Sequence, residues 1–404
     1  MKCFIAISLF FVHISSYSQL MFKLSGDSLK VFSYSGGDEF PGENIDYNYW
    51  KGPWNRINMS QNFRYNDANV KLANGVANFV MLKQDSMYPI QLHEIDSSFL
   101  KEQKIAVENA SYSVGYSAGM LITRQKFHYG LYELRFKVEE GKGVWPAFWF
   151  YGGSKNEEID AFELKGEKNN EIHVDTHCPS GCDKGYKNKF GMNTNWGGWM
   201  KVSDYLHKGF NVFLLEWNPG EILWYINGFP LAYFKGDFPN PMNLFLNTQI
   251  AANGRAFKPG PDKNTVFPNN FYVDYIRIWK ELSSNVIPIV RPGNFVDSEI
   301  FPSEYSTKPL KKRGLMYLRK KLKQEEGLIS VMLSPEKMRV TVLGEITKRP
   351  VTITVLGKRK QYKVTDFSRS NEFDLAKEEH EVELLVISEG REFRRKFIVQ
   401  KALN

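Results

Sequence analysis

Polar and apolar residues alternate with period two along most of this chain. That is strand spacing, because successive side chains in a strand point to opposite faces. The stretch 69–82 reads as two strands joined at Asn74-Gly75, a pair that supplies the positive φ values of a tight hairpin. Further strands are predicted at 118–127, 130–138, 144–150, 172–176, 210–217, 222–226, 242–251 and 271–279. Asn218-Pro219-Gly220 joins two of them as a second hairpin. No stretch carries a long helical period. Many short strands with turn signals between them predict an all-β fold, a jelly-roll β-sandwich.

At Glu281 the alternation stops, and Ser283-Ser284-Asn285 and the prolines at 288 and 292 follow. It returns at 338–343, 351–355, 380–388 and 391–399. We therefore expect a sandwich over 19–282, a linker over 283–325 and a small β-module over 326–404. The 404 residues suit one large β-domain and one smaller unit.

Charge sharpens this division. The formal charge is +8, yet residues 301–404 hold 23 Lys/Arg against 14 Asp/Glu, so the tail carries the whole excess. A basic nucleic-acid binder is the rival class, but no zinc-finger spacing, helix-turn-helix pattern or RNA-recognition signature appears. No nucleic-acid partner is expected. The basic module is read as a solvated structural appendage, with attachment to a cell envelope or an anionic glycan as the functional alternative.

The N-terminus reads Met1-Lys2-Cys3, then the apolar run 4–12, then Ser16-Tyr17-Ser18. This is the pattern of a secretory signal peptide, residues 1–18, cleaved after Ser18. It is too short for a membrane span. The expected product is an exported, monomeric bacterial protein: periplasmic, cell-surface or extracellular. Export changes the meaning of Cys178 and Cys182, in His177-Cys178-Pro179-Ser180-Gly181-Cys182, since in an oxidising compartment a pair so close is expected to form a disulfide.

The chemistry sits in Glu158-Ile159-Asp160-Ala161-Phe162-Glu163. Glu158 and Asp160 share a strand face, whereas Glu163, five positions on, falls on the other face unless a β-bulge loops out one residue. With a bulge, three carboxylates line one face among Trp and Phe. Crowding of that kind raises the pKa of one acid until it can donate a proton. A solvated acidic strand face is the plain alternative.

Five landmarks in register decide between these readings: Tyr129-Gly130-Leu131-Tyr132-Glu133; Gly141-Lys142-Gly143-Val144-Trp145-Pro146-Ala147-Phe148-Trp149; the acidic stretch; Glu216-Trp217-Asn218-Pro219 through Tyr225-Ile226-Asn227-Gly228; and 271–279. From 37 to 280 the chain resembles glycoside hydrolase family 16, the laminarinases, lichenases, agarases and carrageenases. The resemblance implies a concanavalin A-like sandwich and a retaining endo-glycosidase, with Glu158 as nucleophile, Glu163 as acid/base and Asp160 tuning both. It implies a polysaccharide substrate, β-1,3-glucan before galactans such as agar, porphyran or carrageenan. A transglycosylase and a non-catalytic lectin are the other readings. Substrate contacts are expected from Trp145, Trp149, His177, Trp196, Trp199 and Asn247. No cofactor is required; Asp274 matches a position that holds structural calcium in some members, with a structural carboxylate as the favoured role.

Overall fold

The computed structural model describes residues 19–25, 28–53, 57–58, 61–89, 111–153, 157–177, 195–253, 256–290, 326–333, 337–344, 351–357, 361–364, 367, 371–374 and 380–400. The proposed leader, residues 1–18, and the expected disulfide between Cys178 and Cys182 lie outside the described residues. The described chain is built almost wholly of strands. A seven-stranded antiparallel sheet forms one layer of the main sandwich. Its strands run in the order Asn195–Lys201, Glu171–His177, Glu157–Leu164, Val144–Gly152, Met242–Ile250, Met120–Thr123 and Trp50–Lys51. The second layer belongs to a sheet that has fifteen strands among the described residues and includes Gly130–Val138, Asn211–Asn218, Glu221–Ile226 and Asn269–Leu282.

Alternation along these strands sends one set of side chains into the space between the layers. There Phe162 packs on Phe136 at 4.6 Å and edge-on against Phe213 at 5.2 Å between ring centroids. Ile159 and Ala161, from the same acidic strand, are wholly buried in this core. Burying a ring such as Phe162 is worth ~1.5–3 kcal/mol, so the acidic strand is fixed from behind by its apolar residues. The hairpin at Asn74-Gly75 is as predicted: φ is 52° and 75°, both positive, as its tight turn requires.

The first strand departs from expectation. Gln19–Ser25 pairs with Ser28–Asp38 on one side and with Glu326–Leu333, from the C-terminal unit, on the other. Its alternate residues Leu20, Phe22 and Leu24 enter a core with Leu29, Val31, Ile329, Val340 and Phe397. Leu20, Phe22, Leu24, Leu29 and Val31, in a stretch assigned from the sequence to the main sandwich, thus complete the hydrophobic core of the C-terminal module. Val290, assigned to the linker, is buried in that core too. The opposite face of the strand turns to the main sandwich. Met21 packs with Leu131, Val212, Leu214 and Trp279, while the ammonium of Lys23 pairs with buried Glu216 and donates to Tyr225 Oη at 2.6 Å. A buried Glu with a buried Lys for company keeps its charge, and its carboxyl stays below the ordinary range because Lys23 outweighs the burial.

On the module itself, basic side chains meet acids of the same sheets. Lys337 and Arg339 contact Glu372, Arg394 contacts Glu383 and Glu392, and Lys396 contacts Glu381. Exposed pairs of this kind are screened by water and contribute little to stability. Among the described residues no helix is long and apolar enough to cross a membrane.

Candidate active site

The acidic strand is bulged. Against Val144–Gly152 its register shifts between Phe148 and Trp149, and against Glu171–His177 it shifts between Asp160 and Glu163. The extra residue restores Glu163 to the face that carries Glu158 and Asp160. All three acids line a groove of about 520 Å³, while Ile159, Ala161 and Phe162 stay in the core behind them. A groove of that volume suits a small segment of a polymeric ligand.

The neighbouring strand repeats the pattern. His173, Asp175 and His177 alternate onto the groove face and stand opposite Glu163, Asp160 and Glu158 in register. Gly197 makes this possible on the next strand over, because a Cβ there would lie 2.5 Å from Asp175 Oδ1. His177 Nε2 is 3.2 Å from Asp160 Oδ2 and 3.6 Å from Asp175 Oδ2. Asp160 Oδ2 is buried, with the His177 imidazole as its neighbour in the groove.

Charge in the groove follows from burial and crowding. Burial pushes the Glu158 carboxyl up to about 7, against the pull of the His177 charge; Glu163 and Asp175 add to the rise. Burial and then the charge of Glu163 raise Asp160 well above the ordinary carboxylate range. For His177 burial alone would lower the ring, but Asp160, Asp175 and Glu158 outweigh it and hold it up to about 10. The His177 charge and a hydrogen bond from Asp160 both favour a carboxylate on Glu158, against the burial that raises it. Protons on such a cluster belong to the group as a whole.

Glu163 is held differently. Trp145 Nε1 donates to its Oε1 at 3.0 Å, and His173 Nδ1 lies 3.2 Å from its Oε2. Trp145 stacks face to face on Phe257, centroids 4.0 Å apart and planes 10° apart. At the other end of the groove Trp149 stacks on Phe245 at 4.2 Å. Two aromatic stacks thus flank the acids.

Other expected residues are placed as follows. Trp199 packs on two residues that line the groove, its ring 4.9 Å from His173 and 5.2 Å from Phe257. His177 lies beside the acids, as a partner of Asp160 and Asp175. Trp196 does not form a cleft wall. It stacks on Trp224 at 5.3 Å and packs on Phe234, on the core side, because three positions along a regular strand reverse the face. Asn247 does not present its amide to the groove. It is 1% exposed, accepts from Trp149 Nε1 at 2.7 Å and donates to Tyr65 Oη at 3.3 Å, and so fixes the Trp149 ring. Asp274 lies on the other sheet with its Oδ2 2.6 Å from Arg135 Nη1. Among the described residues it belongs to no cluster of three acidic or histidine ligands, and its carboxylate is paired with the Arg135 guanidinium, as a structural carboxylate would be.

Sequence reasoning left Asp175, Phe257, Tyr65 and Phe245 unassigned. Period two on 171–177 was signal enough for Asp175. Phe257, with φ of 58° in an irregular loop, had no periodic signal. That loop is tied down by Lys165 Nζ donating to Lys258 O at 2.7 Å and by Lys142 pairing with Asp262 at 2.8 Å.

Relatives place this geometry. The chain is 30% identical over 190 residues to a beta-glucanase of Rhodothermus marinus, covering 41% of this chain and 63% of that protein. It is 29% identical over 209 residues to a keratan-sulfate endo-1,4-beta-galactosidase of Sphingobacterium multivorum, covering 47% and 44%. It spans less than two thirds of the length of these and of two endo-1,3-1,4-beta-glycanases of Rhizobium meliloti. The endo-beta-1,3-glucanase of Pyrococcus furiosus shares the fold, with a TM-score of 0.50 at 23% identity, over 65% of this chain and 99% of that one. Residues 57–260, half of the chain, match the profile of glycosyl hydrolases family 16 and take in the bulged strand with its three acids, so the chain belongs to that family.

Proposed function

We propose that the protein is an exported endo-β-glycanase that hydrolyses β-glucan, with a β-1,3-linked chain as the first candidate, by double displacement with retention. The observation that carries this reading is the bulge, which sets Glu158, Asp160 and Glu163 on one groove face. In the first step Glu158 attacks the anomeric carbon, the glycosidic bond breaks, and the leaving oxygen takes its proton from Glu163. In the second, Glu163 removes a proton from water, which attacks the same carbon and releases Glu158. Such a mechanism needs the two carboxyl groups about 5–5.5 Å apart. A hydrogen bond with Asp160 favours the ionised form of Glu158, the form that attacks. Rings such as Trp145 and Trp149 suit the flat apolar faces of sugar residues.

Names among the relatives support glucan first, and the keratan-sulfate relative keeps galactose-containing polymers as the second substrate class. Loops choose between them. The test is a panel of laminarin, mixed-linkage glucan, agarose, carrageenan and keratan sulfate, scored for new reducing ends with the purified protein. Release from laminarin or mixed-linkage glucan is expected; release from the galactose polymers alone would overturn the glucan assignment. Product analysis with an added acceptor sugar separates hydrolysis from transfer.

The reading also fixes a pH dependence. Glu158 must be ionised to attack, so kcat/KM falls as pH drops through about 7, the value to which burial lifts it. His177 pulls that value down. In His177→Asn the acid limb of the pH profile is therefore expected to move to higher pH; a limb that stays in place or moves to lower pH contradicts the arrangement.

A further inference from the structure

We propose that His173 is a positioning residue for the acid/base. With Trp145 it forms a two-donor cradle that holds the Glu163 carboxyl and stabilises the carboxylate left when the proton departs. This rests on the reading of Glu163 as acid/base. The bulge pairs Glu163 directly with His173 across the two strands. Each carboxyl oxygen then has one nitrogen of its own: Trp145 Nε1 at 3.0 Å from Oε1 and His173 Nδ1 at 3.2 Å from Oε2. Trp145 can only donate. A hydrogen on Nδ1 of His173 makes the second contact a donation as well, and leaves the outer lone pairs of the carboxyl free to carry the transferred proton into the groove.

The surroundings make both donors count. The side chains of His173 and Glu163 are 15% and 13% exposed, so water competes little. Phe257 is the shared support, stacked on Trp145 at 4.0 Å and edge-on to His173 at 5.5 Å, while Trp199 closes the other side of the imidazole at 4.9 Å. Fixed donors aimed at a charge that develops during reaction stabilise the transition state more than the ground state. The proton balance is simple: the leaving oxygen gains the Glu163 proton, Glu163 becomes a carboxylate, and no proton leaves His173.

The test uses the full chain and two substrates that differ in their need for acid help. Laminarin has a sugar leaving group that must be protonated; dinitrophenyl β-laminaribioside has one that leaves unaided. In His173→Phe, kcat/KM on laminarin is expected to fall roughly tenfold to hundredfold while that on the aryl glycoside stays within about twofold. His173→Gln, which restores an N–H, recovers part of the loss. An equal fall on both substrates, or no fall on laminarin, overturns the proposal. Glu163→Ala separates the two layers of the argument: it should show the same split more steeply. If it shows none, the acid/base assignment itself fails and the cradle has nothing to hold.

Discussion

Glu158→Gln abolishes hydrolysis of whichever polysaccharide the native protein cleaves, lowering kcat by about 10⁴-fold or more, while the fold is kept. The amide cannot attack the anomeric carbon, and loss of a group on which every turnover depends is not compensated by the rest of the site. Stability should be equal or higher. Burial penalises the ionised Glu158 and lifts its carboxyl to about 7, so a neutral side chain of the same shape relieves a desolvation penalty. The measurement is paired: reducing ends released by the purified variant, and its melting temperature beside that of the native chain. Full activity would remove Glu158 from the mechanism. Lost activity with a lower melting temperature would point to structural damage.

The second large effect concerns the C-terminal module. A fragment of residues 19–282 is expected to be insoluble, or to melt roughly 10 °C or more below the full chain. Removing the module strips the cover from Leu20, Phe22, Leu24, Leu29 and Val31, whose neighbours in the core are Ile329, Val331, Val340 and Phe397. Five such side chains at ~1.5 kcal/mol or more each amount to much of the ~5–15 kcal/mol by which a folded domain is stable. Starting the fragment at 32 removes that apolar face but deletes Met21 and Lys23 as well, uncovering Leu131, Val212, Leu214 and Trp279 and taking the ammonium from Glu216. Both fragments should therefore fail where the full chain succeeds. A soluble 19–282 fragment with native melting temperature and activity would show that the module is a detachable appendage after all. The expected result makes it part of the same fold, sharing a sheet with the sandwich through the first strand.

These two cases also show what the sequence could and could not disclose. The bulge was legible because a five-residue spacing has the wrong parity for a strand. Only an inserted residue brings Glu163 beside Glu158, and chemistry gave a reason to want it there. The same parity rule, applied to Trp196 and Trp199, puts them on opposite faces of the regular strand Asn195–Lys201, so the two could not both meet the groove, and Trp196 is the one turned to the core. Asn247 lay on the expected strand, but which atom its amide would meet depends on Trp149 and Tyr65, residues remote in sequence. The first strand escaped notice for another reason. Pairing Gln19–Ser25 with Glu326–Leu333 closes a loop of some three hundred residues, and no local pattern announces a partner that far away. Phe257 was silent altogether, since irregular loops carry no period.

In the proposed double displacement Glu158 becomes bonded to sugar during turnover. A fluorinated laminaribiosyl donor with a good leaving group slows release of that intermediate, and proteolysis with mass spectrometry then locates the added mass. The prediction is a single glycosyl adduct on the peptide that carries the bulged strand, at Glu158, with no adduct in Glu158→Gln. An adduct on Glu163 or on any other residue, or steady turnover of the donor with no adduct and inverted product, would contradict it.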